Sequence, residues 1–257
     1  MIKRILRTID DVLLGKAVHH YRYGKWIAEH IKELEGSQEY RFVVHYQKSS
    51  RDLLSRLCDE YGSDKGEANA TRHPYPWPSH TYADFYSRLF SHCRHGVKKV
   101  FECGIGTNNF NLASSMGIEG KPGASLRMWS EYFPNATIIG ADIDRNILFE
   151  EGRIRTFYVD QLDPLAISFL WEQAGTNNFD LIIDDGLHTF EAGSCLFEHS
   201  ISKLADWGIY IIEDVETPDL LKYANFFNQE KYTVDYVNLY RPNVPLADNS
   251  LVVIRHR

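Results

Sequence analysis

Short apolar runs that each end in a carboxylate recur five times through the middle of the chain. Near-continuous apolar runs of this length, separated by helical stretches, are typical of parallel β-strands buried on both faces. The carboxyl ends of such strands lie together at one edge of the sheet, where open α/β sheets bind their ligands. The pattern therefore predicts an acidic binding site at that edge. The runs span residues 97–104, 137–142, 155–160, 179–185 and 208–214, and their closing acids are Glu102, Asp142, Asp160, Asp184, Asp185, Glu213 and Asp214.

Two later runs, 232–240 and 250–254, alternate apolar and polar residues and are separated by a turn-rich segment. Alternation on both sides of a turn predicts an antiparallel pair of strands. The sequence thus predicts an α/β fold with seven strands, of which five are parallel and two form a hairpin at the end.

The first 60 residues show helical spacing of their apolar positions instead. One apolar stripe runs from Ile2 to Leu13, and a second helix is predicted over residues 51–57. We therefore expect a helical N-terminal extension at 1–60, followed by a ligand-binding domain at 61–257. The first helix is expected to pack within the protein or to form a homo-oligomer contact rather than to lie on a membrane surface, because the chain is acidic.

Composition disfavours several classes of partner and location. The net charge of −7 argues against nucleic acids and anionic membranes, since these favour a basic face. The four cysteines show no CxxC spacing and predict free thiols in a reducing compartment. The longest apolar run after the basic N-terminus, residues 12–14, is too short for a signal-peptide core or a membrane span. We expect a cytoplasmic protein with no membrane span.

A proline-rich segment precedes the sheet. Its prolines at positions 74, 76 and 78 alternate with Tyr75 and Trp77 and predict a stiff, extended path. The two aromatic residues either line a substrate pocket or pack on the core as part of a rigid connector, and the sequence leaves both interpretations open. A helix is predicted at 82–90.

Glycines at 104 and 106 follow the first strand and allow close approach of a ligand to the backbone. A dinucleotide fingerprint requires a third glycine, where Asn109 stands, and a helix that opens at once. Here further glycines and a proline keep the chain out of helix until Ser125, which we expect to be the N-cap. The pattern disfavours a nicotinamide cofactor and predicts a lid over the site.

Two strand ends carry residues suited to a nucleoside. Asp142 ends the second strand, where a carboxylate can accept hydrogen bonds from both ribose hydroxyls. Asp160 and Gln161 end the third strand and offer an acceptor and a donor for an adenine edge, or simply form a turn.

The densest cluster consists of Asp184, Asp185 and His188 after the fourth strand, with Glu213 and Asp214 after the fifth. Four carboxylates on adjacent strand ends raise one another's pKa unless a cation neutralises them. An oxygen-rich set of this kind suits Mg²⁺ or another hard divalent ion. His188, with an ordinary pKa of about 6.5, suits a general base near neutral pH.

Taken together, these motifs resemble the class I S-adenosylmethionine-dependent methyltransferases. Within that class they are most similar to the metal-dependent O-methyltransferases that modify sugars, as in mycinamicin and macrocin tailoring. The resemblance covers about residues 60–257 and rests on Gly62-Ser-Asp-Lys65, Glu102-Cys-Gly-Ile-Gly106, residues 123–129, Gly140-Ala-Asp-Ile-Asp144, residues 160–164, residues 183–188 and residues 212–215.

The resemblance implies a Rossmann-like, doubly wound sheet of seven strands with the last strand antiparallel. It also implies roles for individual residues. The cofactor contacts would be Glu102, Gly104, Gly106, Asp142, Asp160, Gln161 and Asp184, with Asp184 near the methionyl part. The metal ligands would be Asp185, Glu213 and Asp214, and the catalytic pair would be His188 as base with Asp185 beside it.

The expected function is that of an S-adenosylmethionine-dependent, divalent-metal-assisted O-methyltransferase that acts on a hydroxyl of a sugar or a glycosylated small molecule. One alternative is a methyltransferase for a phosphate or phosphoramidate group of a surface-polysaccharide precursor, since the same acids and metal would serve it. An NAD(P)-dependent oxidoreductase and a non-catalytic scaffold are further alternatives. The glycine pattern disfavours the first of these, and the intact acid and histidine set disfavours the second.

Overall fold

A computed structural model describes residues 41–45, 52–227, 230–239 and 246–257 of the chain. The described residues form one mixed β-sheet with helices on both faces. The strands are β1 (Arg41–His45), β2 (Lys99–Cys103), β3 (Thr137–Asp142), β4 (Glu150–Glu151), β5 (Ile154–Tyr158), β6 (Phe179–Asp184), β7 (Leu204–Ile212), β8 (Tyr232–Leu239) and β9 (Ser250–His256). The α-helices are α1 (Leu53–Tyr61), α2 (Tyr82–Phe90), α3 (Ala124–Tyr132), α4 (Pro164–Ala174), α5 (Phe190–Ser200) and α6 (Thr217–Phe226).

The strand order confirms the predicted topology and extends it. Across the sheet the order is β1-β8-β9-β7-β6-β2-β3-β5-β4. The five predicted parallel strands are β2, β3, β5, β6 and β7. The last strand, β9, is antiparallel to both of its neighbours, β7 and β8, as the resemblance implied.

Two short strands at the edges raise the count from the predicted seven to nine among the described residues. The two residues of β4 pair antiparallel with β5, and β1 pairs parallel with β8. Because β1 lies at 41–45, the predicted N-terminal extension is not entirely helical. Its sequence Arg-Phe-Val-Val-His is short and rich in residues that favour strands, and the edge of β8 supplies the backbone partners. The apolar stripe at 2–13, and with it the proposed oligomer contact, lies outside the described residues.

Helix α1 joins the extension to the core of the sheet domain. It begins after Asp52, whose side chain accepts a hydrogen bond from the amide of Ser55, and ends at Gly62, which has a φ of 81°. Leu54 and Leu57 are buried in the same cluster as residues of α2 and α3. The predicted domain boundary after residue 60 therefore falls inside a helix that packs with the sheet domain.

Two apolar layers confirm the doubly wound arrangement. Successive strand residues point to opposite faces, so Val100 packs with helices α1 to α3 while Phe101 packs with α4 to α6. The four cysteines are unpaired, as predicted. Within the described residues, every helix is too short or too polar to cross a bilayer.

The predicted N-cap of the first crossover helix is wrong by two residues. Helix α3 is capped by Gly123, which has a left-handed φ of 76°, and Ser125 lies in the first turn. A Cβ atom at Gly123 would lie 2.4 Å from the ring of Phe149, so the left-handed backbone and this close contact both favour glycine. The Ser125 hydroxyl instead donates to Oε2 of Glu102 at 2.8 Å.

A close backbone contact joins the end of β2 to the loop after β6. Gly104 has a φ of 85°, and a Cβ atom there would lie 1.8 Å from the carbonyl oxygen of Asp185. From the sequence, Gly104 was expected to let a ligand come close to the backbone. In the structure, the backbone of the loop after β6 lies so close to Gly104 that this contact requires a glycine.

We therefore expect Gly104→Ala to lower the free energy of unfolding by more than about 3 kcal/mol, because left-handed strain and a backbone clash add. Gly152→Ala is the matched control, since Gly152 has a φ of 57° but open space around its Cβ position. That control should cost only the strain, about 1–2 kcal/mol. Chemical denaturation measures both, and equal losses for the two variants would contradict the prediction.

Candidate active site

Backbone hydrogen bonds bring the acidic strand ends together. The amide of Asp185 donates to the carbonyl of Cys103 at 2.8 Å, and the amide of Glu213 donates to the carbonyl of Asp184 at 2.9 Å. These bonds carry the sheet pairing of β2, β6 and β7 one residue beyond the strands. The acids of three neighbouring strands consequently face one region at the carboxyl edge, as the sequence predicted.

A cavity of about 300 Å³ opens at this edge. Its lining includes Gly104, Gly106 and Asp142 as well as Asp185, His188 and Asp214. The loop after β2 adds residues 113–116 to its walls, and the segment before α2 adds residues 63–65, 75, 77 and 80. The cavity thus joins the two halves of the predicted site.

Lys65 was given no role by the sequence, yet it lies at the centre of the acidic cluster. Its Nζ atom is 3.0 Å from Oε1 of Glu102 and 2.6 Å from Oδ2 of Asp185, and it also pairs with Oε2 of Glu213. The lysine is 3% exposed. The excess of acids at the strand ends could have pointed to a lysine or arginine nearby, because buried carboxylates require a cation or protonation.

The pKa shifts in this cluster follow from burial and from the lysine. Burial lowers the pKa of Lys65, but the adjacent acids outweigh it and hold that pKa well above the ordinary value. Burial raises the pKa of Asp185, but Lys65 and His188 outweigh it and bring the pKa down to about 2. For Glu102 and Glu213 burial prevails over the ammonium, so their pKa values stay raised. Lys65 and Asp185 therefore form a charged pair at neutral pH.

Helix α2 holds the two consecutive acids of β7 with two tyrosines. The Tyr86 hydroxyl donates to Oε1 of Glu213 at 2.6 Å, and the Tyr82 hydroxyl lies 2.6 Å from Oδ1 of Asp214. The rings of both tyrosines are buried, and their spacing of one helical turn also presents both hydroxyls to neighbouring carboxylates.

His188 contacts the acids that remain open to the cavity. Its Nε2 atom is 3.4 Å from Oδ1 of Asp185 and 3.3 Å from Oδ2 of Asp214, and its side chain is 37% exposed. Burial disfavours the charged imidazolium, but the carboxylates of Asp214 and Asp185 outweigh it and raise the pKa of His188 to about 10. His188 and Asp214 both have positive φ angles, 58° and 51°, and such strain in residues other than glycine clusters at functional sites.

Two groups of side chains could hold a divalent cation, Asp185 with His188 and Asp214, and Glu102 with Asp185 and Glu213. All members of the first group line the cavity, whereas Glu102 and Glu213 do not. One ligand atom from each of Asp185, His188 and Asp214 lies within 4.8 Å of the others. Both oxygens of Glu213 are already bonded, to Lys65 and to Tyr86, so Glu213 could bind a metal only by sharing an oxygen. Lys65 supplies a cation among these acids, as the charge pattern required, and the assignment of a metal to Asp185, Glu213 and Asp214 stays a prediction.

The predicted cofactor residues divide between the cavity wall and a layer behind it. Asp142 lies on the wall, and its carboxylate accepts from the amides of Ile105 and Asp144, both at 2.9 Å. Asp160 and Gln161 line an adjoining cavity of about 60 Å³ that also touches Asp142.

Two predicted contacts, Glu102 and Asp184, lie behind the wall. Glu102 is fully buried and bonded to Ser125 and Lys65. Asp184 accepts a hydrogen bond from Nε2 of Gln161 at 2.5 Å and lies outside the main cavity. The Oε1 atom of Gln161 accepts from the backbone amide of Leu187. These positions suit support of the wall better than direct contact with a cofactor.

We expect Lys65→Met to lower the free energy of unfolding by about 3–5 kcal/mol, because it leaves buried carboxylates without their cation. Combining it with Glu213→Gln should recover part of that loss, and a double-mutant cycle by chemical denaturation measures the coupling. Lys222→Met is the matched control, since Lys222 pairs with Asp219 at 2.8 Å on the surface, and it should change stability little. A Lys65→Met variant as stable as the wild type would overturn this interpretation of the cluster.

Comparison with known proteins supports the resemblance noted in the sequence, although no protein-family model matches the chain. The chain is 31% identical over 164 residues to the 8-demethyl-8-alpha-L-rhamnosyl tetracenomycin-C 2'-O-methyltransferase of Streptomyces olivaceus, covering 64% of this chain and 38% of that protein. It is 33% identical over 177 residues to the demethylmacrocin O-methyltransferase of Streptomyces fradiae, covering 68% of this chain and 42% of that protein. The chain thus spans about 40% of the length of these curated relatives.

Solved structures share the fold. The MycE methyltransferase of the mycinamycin biosynthetic pathway, in complex with Mg and SAH, matches with a TM-score of 0.55 and 22% identity, over 81% of this chain and 55% of that one. Its complex with Mg, SAH and mycinamycin VI matches with a TM-score of 0.56, at the same identity and coverage. The chain therefore has the fold of S-adenosylmethionine-dependent methyltransferases and is related in sequence to sugar O-methyltransferases of the macrolide and tetracenomycin pathways.

Proposed function

We propose that this chain is an S-adenosylmethionine-dependent, divalent-metal-assisted O-methyltransferase that acts on a hydroxyl of a sugar or a glycosylated small molecule. The observation that carries the proposal is the position of His188, which contacts Asp185 and Asp214 on the wall of the cavity that also contains the Gly104–Gly106 turn and Asp142. A base, two open carboxylates and a nucleoside-type wall in one cavity suit methyl transfer to an oxygen. The names of the sequence relatives support the same class of acceptor.

The cofactor half of the cavity would be formed by Gly104, Gly106 and Asp142. Two backbone amides already use part of the Asp142 carboxylate, which keeps acceptor positions for the ribose hydroxyls. Asp160, at the adjoining cavity, would face the adenine. When bound, S-adenosylmethionine supplies an activated methyl group on a positively charged sulfonium.

The metal would be held by Asp185 and Asp214, with Glu213 as a third ligand only if it shares an oxygen with Lys65. When bound, a divalent cation stabilises negative charge that develops on the acceptor oxygen. The Tyr82 hydroxyl and the Lys65 ammonium hold the two acids in place during this step.

His188 would remove the proton of the acceptor hydroxyl at Nε2. Burial lowers the pKa of His188, but the carboxylates of Asp214 and Asp185 outweigh it and raise that pKa to about 10, which keeps the imidazole protonated at neutral pH. Neutralising those two carboxylates removes that effect and frees Nε2 to act as a base. Orientation of the acceptor by the cavity walls supplies the in-line geometry.

The alternative of a phosphorylated acceptor is disfavoured by the charge of the cavity. Carboxylates of Asp64, Asp185, Asp214 and Asp248 line it, and of its two lysines Lys65 is already engaged. An anionic group would have to enter against this excess of negative charge.

We expect His188→Ala to lower the rate of methyl transfer about 10²–10⁴-fold and to leave the affinity for S-adenosylhomocysteine unchanged, because the side chain acts on the acceptor proton. Release of S-adenosylhomocysteine with a panel of deoxyhexosyl glycosides measures turnover, and isothermal titration measures affinity. His199→Ala is the control, since this histidine is exposed. Its Nδ1 atom lies 2.9 Å from the carbonyl oxygen of Cys195 in the same helix, away from the cavity lining. Full turnover in His188→Ala would rule out its role as the base.

We also expect EDTA to abolish turnover and added Mg²⁺ to restore it. Titration of Mg²⁺ into the metal-free protein should give one site that is lost in Asp185→Asn and Asp214→Asn, because both carboxylates face the cavity. The exposed acid Asp206 serves as the control position, and Asp206→Asn should bind as the wild type does. Turnover that is indifferent to EDTA, with no Mg²⁺ binding, would reject the metal while leaving the methyltransferase proposal to stand on the cofactor assay.

A further inference from the structure

We propose that Trp77 and Asp64 form the subsite that holds the sugar ring of the acceptor, and that this subsite selects a neutral ring with one apolar face and hydroxyl groups at its rim. This inference rests on the proposed methyltransferase function and adds to it the residues that determine specificity. It also decides between the two interpretations of the proline-rich segment that the sequence left open.

The aromatic wall is rigid. Tyr75 stacks on Trp77 with ring centroids 4.7 Å apart and planes 12° apart. The buried Tyr75 hydroxyl donates to the carbonyl of Gly62 at 2.8 Å, and Nε2 of His73 lies 2.7 Å from the carbonyl oxygen of Trp77. Alternating prolines restrict the backbone between these contacts. The wall is therefore organised before a ligand arrives, which lowers the entropic cost of binding.

Trp77 and Asp64 act as one unit on that wall. The indole Nε1 donates to Oδ2 of Asp64 at 2.9 Å, and the Asp64 carbonyl accepts from the amide of His80 at 2.8 Å. Both side chains are half-buried and line the main cavity, and Tyr75, which also lines it, is buried. A rigid connector alone would not need to leave the indole partly exposed on a cavity wall.

The unit is joined to the reaction centre through the residues on either side of it. Asp64 immediately precedes Lys65, whose ammonium is 2.6 Å from Oδ2 of Asp185. At the other end of the segment, Nε2 of His80 is 3.5 Å from Oδ1 of Asp214. Lys65 and His80, which flank the aromatic wall in sequence, thus contact the two acids that also contact His188. A sugar ring on this wall would therefore present a hydroxyl to Nε2 of His188.

The chemistry of the wall matches a pyranose. An indole face accepts the apolar C–H face of a sugar ring, and a carboxylate accepts hydrogen bonds from its hydroxyls. The indole N–H uses only one acceptor position of Asp64, so the carboxylate retains capacity for a ligand. The adjacent carboxylates of Asp214 and Asp248 favour hydroxyl donors over anions.

The test uses the protein saturated with Mg²⁺ and S-adenosylmethionine, with methyl α-L-rhamnopyranoside and its monodeoxy analogues as acceptors. Trp77→Leu should raise KM about tenfold with little change in kcat, because the contact is made equally in the ground and transition states. Trp77→Phe keeps a ring and should lie between Trp77→Leu and the wild type.

Asp64→Asn tests the hydroxyl contact. An asparagine can still accept from Trp77, but it turns a donor toward the ligand. In the wild type, one monodeoxy analogue should lose at least about tenfold in kcat/KM relative to the parent glycoside, and in Asp64→Asn this difference should vanish.

Trp207→Leu is the matched control. Trp207 is 75% exposed, and its indole makes the same kind of bond, 2.7 Å to Oδ1 of Asp180, at the amino-terminal end of the strands. It should leave KM unchanged. S-adenosylhomocysteine affinity, measured for every variant, reports whether the cofactor half remains folded.

The outcomes separate the two proposals. If the wild type methylates the glycosides and both Trp77→Leu and Asp64→Asn keep its KM and its discrimination, the subsite is overturned and the proposed function stands. A wild type that binds S-adenosylhomocysteine but neither binds nor methylates any glycoside overturns the subsite together with the sugar acceptor. A wild type that does not bind S-adenosylhomocysteine overturns the methyltransferase function itself.

Discussion

A single ammonium group among buried carboxylates is the interaction on which the carboxyl edge of this sheet depends. Lys65 pairs with Glu102, Asp185 and Glu213, which end or follow three adjacent strands. Three carboxylates brought this close in a buried place would otherwise take up protons or force the strand ends apart. Because the lysine comes from a loop outside the sheet, the same interaction also positions the segment that forms one wall of the cavity.

The cluster separates residues that support the site from residues that face it. Tyr86 and Lys65 occupy the oxygens of Glu213, so this acid serves mainly to hold its neighbours. Asp214 and His188, in contrast, are left strained and partly exposed beside the cavity. Strain at these two positions persists because the surrounding contacts determine it, and this is the usual condition of groups that must meet a reacting atom in one geometry.

Local patterns predicted the elements well where one signal dominated. Strand β3 and helix α2 span the predicted residues, and the antiparallel last strand was expected. Expectations that rested on one residue's preference were weaker. Ser125 is a good N-cap by type, but Gly123, with its left-handed backbone and its close contact to the ring of Phe149, caps the helix instead, and the serine bonds Glu102. The short edge strands have no periodicity of their own to reveal them.

The sequence by itself determined the sheet, its direction and the edge at which acids collect, because hydrophobic periodicity and strand polarity are properties of adjacent residues. It also identified His188, Asp185 and Asp214 as a group, since all follow strands that end at that edge. Only the tertiary structure decided which acids face the cavity and which lie behind it. That distinction depends on Lys65, more than 100 positions away from Asp185, and the charge balance between them forms only when the chain has folded.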